Sequence, residues 1–140
     1  MLYQLRVAAL VQSARPEHGS RMARDFRFPR SKRLTLPAEF KRVREEGKVA
    51  RGELLSLGAL LHLPDEQIRA GFITSRRLGG AVVRNRVRRR LRAVVRRHQN
   101  EIVKGAWIVM IARPPSARAT YAALEHEWLR LAKRTSILAP

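Results

Sequence analysis

The spacing of apolar residues changes along the chain, and each spacing predicts a different element. In residues 55–63 apolar side chains recur at every second position, which is typical of a strand with one buried face. After a turn at Pro64, residues 68–74 return as a second apolar segment, so the simplest arrangement is an antiparallel hairpin. Residues 107–112 form a continuous apolar run of strand length, which a Pro-rich loop ends.

Helical signals begin before the first strand. Thr35 is a candidate N-terminal cap, Pro37 suits a first helical turn, and Glu39 lies where the helix dipole favours an anion. The predicted helix runs to about Glu46, and Gly47 ends it.

A longer helix is predicted after Gly79 and Gly80. Its apolar positions are separated by four, four, three, four and four residues, and the helix should end near Lys104 and Gly105. These positions are Val83, Val87, Leu91, Val94, His98 and Ile102. A last amphipathic helix is marked by Tyr121, Leu124, Trp128 and Leu131.

The order of these elements predicts an α+β fold, with a small sheet flanked by helices. The length of 140 residues allows one domain with a modest core, which we place at residues 31–140. Residues 1–30 lack a regular period and carry scattered arginines, which is typical of a flexible basic arm.

Charge indicates the class of partner. The formal net charge of +19 would strain a compact monomer unless a polyanion neutralised part of it, so nucleic acid is the leading partner and an anionic membrane the second. The basic residues are mostly arginine, whose planar guanidinium binds phosphate in pairs of hydrogen bonds, and this favours RNA. No segment approaches the roughly 20 apolar residues of a membrane span. The absence of cysteine suits a reducing compartment, and we expect a cytoplasmic protein.

The arginines are concentrated on the long predicted helix. On a helix that turns about 100° per residue, Arg84, Arg88 and Arg92 form one row. Asn85, Arg89 and Arg96 form the next, and the apolar positions lie opposite. A helix whose charged residues served only solubility would carry both acidic and basic side chains. Residues 82–100, however, contain no acidic residue. We therefore predict an RNA-binding helix face.

Four sequence blocks resemble one family in the same order. Arg84-Asn85-Arg86, within the longer arginine run, is similar to the signature of bacterial ribonuclease P proteins. The segment 71–79 resembles the family's strand leading into that signature, and 111–114 resembles its last strand and exit. Arg33-Leu34 followed by Phe40 resembles its opening helix. The resemblance covers roughly residues 26–138.

The resemblance implies a four-stranded sheet flanked by helices, with a left-handed βαβ crossover around the signature helix. It also implies that a large RNA performs catalysis with Mg²⁺, while the protein binds that RNA and the 5′ leader of precursor tRNA. The protein alone would hold no cofactor, and nothing indicates an obligate protein partner. The implied RNA-binding residues are Arg76, Arg77, Arg84, Asn85, Arg86, Arg88, Arg89 and Arg92. The implied leader cleft contains Phe40, Arg44, Leu57 and Phe72.

The cleft departs from the family's pattern. The family places several aromatic residues there, whereas this chain has Arg44 one turn after Phe40 and Leu57 at the strand position that is often tyrosine. Phe72 would replace part of the lost aromatic surface. Because stacking contributes about 1 to 3 kcal/mol per base, fewer rings predict a leader site that depends more on phosphate charge. Phe40 is equally compatible with a place in the core.

No constellation for protein catalysis emerges from the sequence. The acidic pairs Glu45 with Glu46, and Glu125 with Glu127, do not share a helix face, and His98 falls on the buried side of its helix. This suits an accessory subunit of a ribonucleoprotein endoribonuclease. The main alternative is a structural RNA-binding protein of the ribosomal type. A metal-independent ribonuclease and a DNA-packaging protein are more remote alternatives.

Overall fold

The computed structural model describes residues 32–139, so the predicted arm at residues 1–30 lies outside the described part. Three helices and four strands follow one another in this region, which confirms the predicted α+β class. In chain order they are α1 (Pro37–Glu46), β1 (Lys48–Arg51), β2 (Leu55–Leu60), β3 (Arg69–Ile73), α2 (Ala81–His98), β4 (Trp107–Ala112) and α3 (Tyr121–Arg134). Short 3-10 turns lie at Arg76–Leu78, Gln99–Glu101 and Pro114–Arg118.

The strands form one mixed sheet in the order β1-β2-β4-β3. β4 pairs antiparallel with β2 and parallel with β3, so the predicted hairpin between β2 and β3 is wrong. Alternation of apolar residues in β2 determines which face is buried, but it does not determine which strand lies beside it. The continuous apolar run of β4 is typical of a central strand that is covered on both faces. The chain passes from β3 to the adjacent parallel β4 through α2, which is the crossover unit that the resemblance implies.

The two faces of the sheet have separate cores. Helices α2 and α3 cover one face, and the larger core between them and the sheet includes Leu57, Met110 and Trp128. Helix α1 covers the other face, and a smaller core there contains Leu34, Phe40, Val43, Ile73 and Val109. Residues 32–139 therefore form three layers, with α1 as their one helix on that side of the sheet.

Helix α1 packs closely because the strands beneath it carry glycine. A Cβ atom at Gly71 would lie 2.5 Å from the ring of Phe40, so only glycine allows this approach. The helix start differs from the prediction, because Leu36 and not Thr35 is the N-terminal cap residue. The Glu39 carboxylate accepts hydrogen bonds from the backbone N–H groups of Thr35 and Leu36, at 3.0 and 2.8 Å. It also pairs with Arg69 of β3 at 2.9 Å.

One further boundary and one strand differ from the sequence prediction. Helix α2 ends at His98 and not near Lys104, because a 3-10 turn at Gln99–Glu101 follows it and brings Ile102 into the core. Strand β1 was not predicted, since it is a four-residue edge strand in which only Ala50 is buried. A strand of this kind carries almost no alternation of buried and exposed positions from which it could be recognised.

A buried carboxylate fastens α3 to the edge of the sheet. One oxygen of Glu127 accepts the N–H of Glu53 at 2.9 Å, and the other accepts the N–H groups of Leu54 and Leu55 at 2.7 and 2.8 Å. A Cβ atom at Gly52 would lie 2.6 Å from the Glu127 carboxyl carbon, so glycine makes room for it. This one side chain therefore pairs three backbone groups of the turn between β1 and β2.

Replacing Glu127 by glutamine should destabilise the fold, because an amide NH₂ would face backbone N–H donors where an oxygen now accepts them. We expect Glu127→Gln to lower the free energy of unfolding by about 2 to 4 kcal/mol, measured by urea denaturation. Glu53→Gln, in the same turn but exposed, is the matched control and should change it by less than about 0.5 kcal/mol. Equal small effects would show that the Glu127 bonds contribute little.

Candidate nucleic-acid interface

An apolar stripe on α2 determines which of its arginines face solvent. Val87, Leu91 and Val94 are fully buried, which confirms their predicted place against the sheet, and Val95 joins them. We call these four residues the apolar stripe of α2. Complete burial of an aliphatic side chain contributes about 1.5 to 3 kcal/mol, so the stripe holds the helix in one rotational position.

The exposed side of α2 is centred on Asn85, Arg86 and Arg89, which we call the basic face of α2. Arg96 continues this side toward the end of the helix and is half-buried. The predicted second row, Asn85 with Arg89, is thus the outermost part of the helix. Arg84 and Arg88, from the first predicted row, lie beside it and are half-buried.

Arg92 is the exception among the predicted RNA-binding residues. It is only 8% exposed, and its guanidinium carbon lies 5.9 Å from the ring centroid of Phe72. The prediction that Arg92 belongs to an exposed row is therefore wrong. Because Val95 is buried and lies about 60° from Arg92 around the helix axis, the buried sector is wider than the predicted stripe and includes Arg92.

Two more predicted residues lie directly before the helix. Arg76 and Arg77 are exposed on the 3-10 turn Arg76–Leu78. Gly79 follows with a positive φ of 136°, a conformation that side chains with a Cβ atom rarely adopt, and it turns the chain into α2. The structure therefore places Arg76 and Arg77 near the first turn of α2, which contains no acidic residue.

Acidic residues are separated from this surface. Residues 67–100 contain none, whereas Glu45 and Glu46 of α1 pair with Lys41 and Arg42 of the same helix. The charges of these four α1 side chains therefore balance, whereas the basic face of α2 contains no acidic residue. Such an unbalanced face is typical of a phosphate-binding surface.

The predicted leader cleft is only partly assembled. Leu57 is 0% exposed and belongs, like Phe72, to the face of the sheet that α2 and α3 cover, so neither can share a cleft with α1. Alternation along β2 instead places Gly58 under Val43 of α1, one residue from the predicted position. Phe40 is 5% exposed and packs over Gly71, so its ring is a core component and not an open stacking surface. Of the four predicted cleft residues, only Arg44 is exposed, as a side chain that contacts the leader must be.

The end of α2 is joined to α3 through His98. Its Nδ1 lies 2.6 Å from Glu101 and its Nε2 lies 3.2 Å from Glu125, while the ring stacks on Trp128. The prediction that His98 falls on the buried side of its helix is confirmed, and each ring nitrogen lies within hydrogen-bonding distance of a carboxylate. Tyr121 also contacts Glu125, at 3.3 Å. Burial raises the pKa of Tyr121 above its usual value, and a hydrogen bond involving Arg97 opposes that shift.

The described residues contain neither a cluster of metal-binding side chains nor a membrane-spanning helix. Within residues 32–139, no three His, Asp or Glu side chains come together in a way that could hold a metal ion. In the same range no helix has both the length and the apolar character needed to cross a membrane.

Comparisons with known proteins agree on one family. The family model described as Ribonuclease P matches residues 28–136. A ribonuclease P protein component from Beutenbergia cavernae is 40% identical over 100 residues, spanning 71% of this chain and 84% of that protein. The RNase P protein of Thermotoga maritima matches with a TM-score of 0.65 and 29% identity, covering 73% of this chain and 96% of that one. The RNase P protein of Staphylococcus aureus shares the fold, with a TM-score of 0.71 and 23% identity over 77% of this chain and 98% of that one.

The position of Arg92 can be tested by stability alone. Arg92→Ala removes packing and a cation–π contact with Phe72, so we expect a loss of about 1 to 2 kcal/mol in the free energy of unfolding. Arg89→Ala removes an exposed side chain of the same type and should cost less than about 0.5 kcal/mol. Urea denaturation of both variants measures the difference. Equal stability would mean that α2 is rotated away from the described orientation.

Proposed function

Because the chain belongs to the ribonuclease P protein family, we propose that it binds the catalytic RNA of ribonuclease P through the basic face of α2. In this role it assists the Mg²⁺-dependent removal of the 5′ leader from precursor tRNA, while the RNA carries the chemistry. The observation that supports the proposal is the acid-free, outward-facing arginine surface on a helix anchored by its apolar stripe. No observation favours the alternative of a structural RNA-binding protein without a part in tRNA processing.

Helix α2 suits a phosphate backbone in its spacing as well as its charge. Residues four apart rise about 6 Å along a helix, which is similar to the phosphate spacing of an extended strand. Asn85 and Arg89 have this separation on the basic face. Like charges along one helix face cost a few tenths of a kcal/mol per pair, and a bound polyanion would remove that cost.

For the leader we propose a site on the α1 side of the sheet that depends on charge. The strand register places Arg51, Ser56, Ile111 and Ile73 in one transverse row on that face, and the row contains no aromatic side chain. Arg51 in this row and Arg44 on α1 are both exposed. Electrostatic attraction by these two side chains, without base stacking, would hold a single strand regardless of its sequence.

The protein would lower the Mg²⁺ concentration that the assembled RNA requires, without binding Mg²⁺ itself. A chain of net charge +19 supplies positive charge to the assembled RNA, which otherwise depends on divalent ions to offset phosphate repulsion. A protein of this function would work in the cytoplasm, where precursor tRNA is processed.

Reconstitution with the catalytic RNA tests the proposal. We expect the protein alone to leave precursor tRNA intact, and the combination to cleave it at an Mg²⁺ concentration at which the RNA alone is slow. Arg89→Ala should weaken catalytic RNA binding by about 3- to 10-fold, corresponding to the loss of one exposed charged contact. Lys133→Ala, which removes an exposed charge from the end of α3, is the control.

Comparing substrates with and without a leader distinguishes the proposed leader contact from the proposed contact with the catalytic RNA. The reconstituted enzyme should prefer the substrate with a leader, and Arg44→Ala should reduce that preference while leaving catalytic RNA binding unchanged. Equal affinity for both substrates in the unmodified protein would reject the leader site. Absence of any acceleration by the protein would reject the proposed function as a whole.

A further inference from the structure

The segment that follows β4 is a rigid turn. Pro114 and Pro115 restrict its backbone, and the wholly buried Ser116 bonds through its N–H and its hydroxyl to the carbonyl of Arg113, at 2.9 and 2.6 Å. The N–H of Ala119 donates to the carbonyl of Ser116 at 3.2 Å and closes the turn. Arg118 lies within this fixed backbone, and it is exposed.

Two arginines of α2 hold this turn. Arg86 Nη2 donates to the carbonyl of Ala117 at 3.0 Å, and Arg90 Nη1 donates to the carbonyl of Ala119 at 2.6 Å. The two carbonyls flank Arg118 on either side in the chain. The turn is thereby attached to α2 on both sides of Arg118. Arg90 is half-buried and makes this contact within the protein, whereas Arg86 is exposed and also belongs to the basic face.

Two elements that pack against the turn Pro114–Arg118 carry basic side chains and no acidic ones. The 3-10 turn Arg76–Leu78 and the first part of α2 both pack against the turn Pro114–Arg118. These three segments lie in residues 67–100 and 102–124, which contain no acidic residue. The turn that contains Arg118 therefore lies beside the turn of Arg76 and Arg77 and beside the basic face of α2, an arrangement that the linear run of arginines does not reveal.

We infer that Arg118 is part of the RNA-binding surface and contacts a phosphate of the catalytic RNA, and that Arg90 is a positioning residue that holds it there. The inference rests on the proposed function, because it assigns an additional contact to the same RNA. A guanidinium binds phosphate oxygens with paired hydrogen bonds, and a fixed backbone reduces the ordering cost of binding. The surface for catalytic RNA thus extends from α2 across the turn Pro114–Arg118.

A double-mutant cycle tests both parts of the inference. Arg118→Ala should weaken binding to the catalytic RNA by about 3- to 10-fold at low salt and reduce the slope of log affinity against log salt by about 0.7 to 0.9. Arg90→Ala should weaken binding by a smaller factor, because the Ala119 end of the turn loses its bond to α2 while the bond from Arg86 to Ala117 remains. The variant with both changes should bind about as well as Arg118→Ala alone, since residues that act through one contact are not additive.

Three controls make the result decisive. Arg90→Lys keeps the positive charge and one hydrogen-bond donor for the Ala119 carbonyl. Its affinity for the catalytic RNA should therefore be close to that of the unmodified protein and higher than that of Arg90→Ala. Lys133→Ala removes an equal charge at the end of α3 and should change affinity by less than about twofold. Arg118→Glu changes only an exposed side chain, so it should fold and bind more weakly than Arg118→Ala, whatever the stability of the Arg90 variants.

The outcomes distinguish this inference from the proposed function. If Arg118→Ala and Arg118→Glu bind normally while Arg89→Ala binds weakly, the Arg118 contact is wrong and the proposed function stands. If the effects of Arg90→Ala and Arg118→Ala add, the positioning role of Arg90 is wrong. If no variant in either segment affects binding, both the inference and the basic face of α2 as the RNA surface fail.

Discussion

Burial of the apolar stripe of α2 is the interaction on which the orientation of the whole charged surface depends. Val87, Leu91, Val94 and Val95 are fully buried, and each contributes about 1.5 to 3 kcal/mol. Repulsion between neighbouring arginines costs only a few tenths of a kcal/mol per pair, so burial exceeds repulsion by a wide margin. The helix therefore stays folded with its basic face outward, even before a polyanion neutralises it.

Contacts within the protein use part of the charge that the sequence concentrates on α2. Arg92 packs over Phe72, Arg97 pairs with Glu125, and Arg90 donates to a backbone carbonyl of the following turn. These contacts attach α2 to β3, to α3 and to the turn after β4. The arginine run thus has two functions, because some members attach the helix to its neighbours and the others form the exposed surface.

Local patterns were enough to predict the three helices and the strands β2, β3 and β4, because each depends on a pattern within its own segment. The apolar positions Val87, Leu91 and Val94 were identified in the same way. Contacts between distant segments were not predictable: strand order, the Glu127 bonds to the β1–β2 turn, and the place of Arg118 beside α2. A shift of one residue on β2 exchanges Leu57 for Gly58 on the α1 side, since successive side chains point to opposite faces. The alternation shows that Leu57 and Gly58 lie on opposite faces of the sheet, but it does not show which face α1 covers.

Directed cleavage of the RNA from defined positions tests the central claim, that the acid-free surface around α2 faces the catalytic RNA. The chain contains no cysteine, so a cleavage reagent tethered to Arg89→Cys or to Glu66→Cys reports from one position only. Both residues are exposed, and Glu66 lies in the loop between β2 and β3, outside the acid-free surface. We expect strong, localised cleavage of the catalytic RNA from position 89 and little from position 66. Equal cleavage from both positions, or cleavage from position 66 alone, would contradict it.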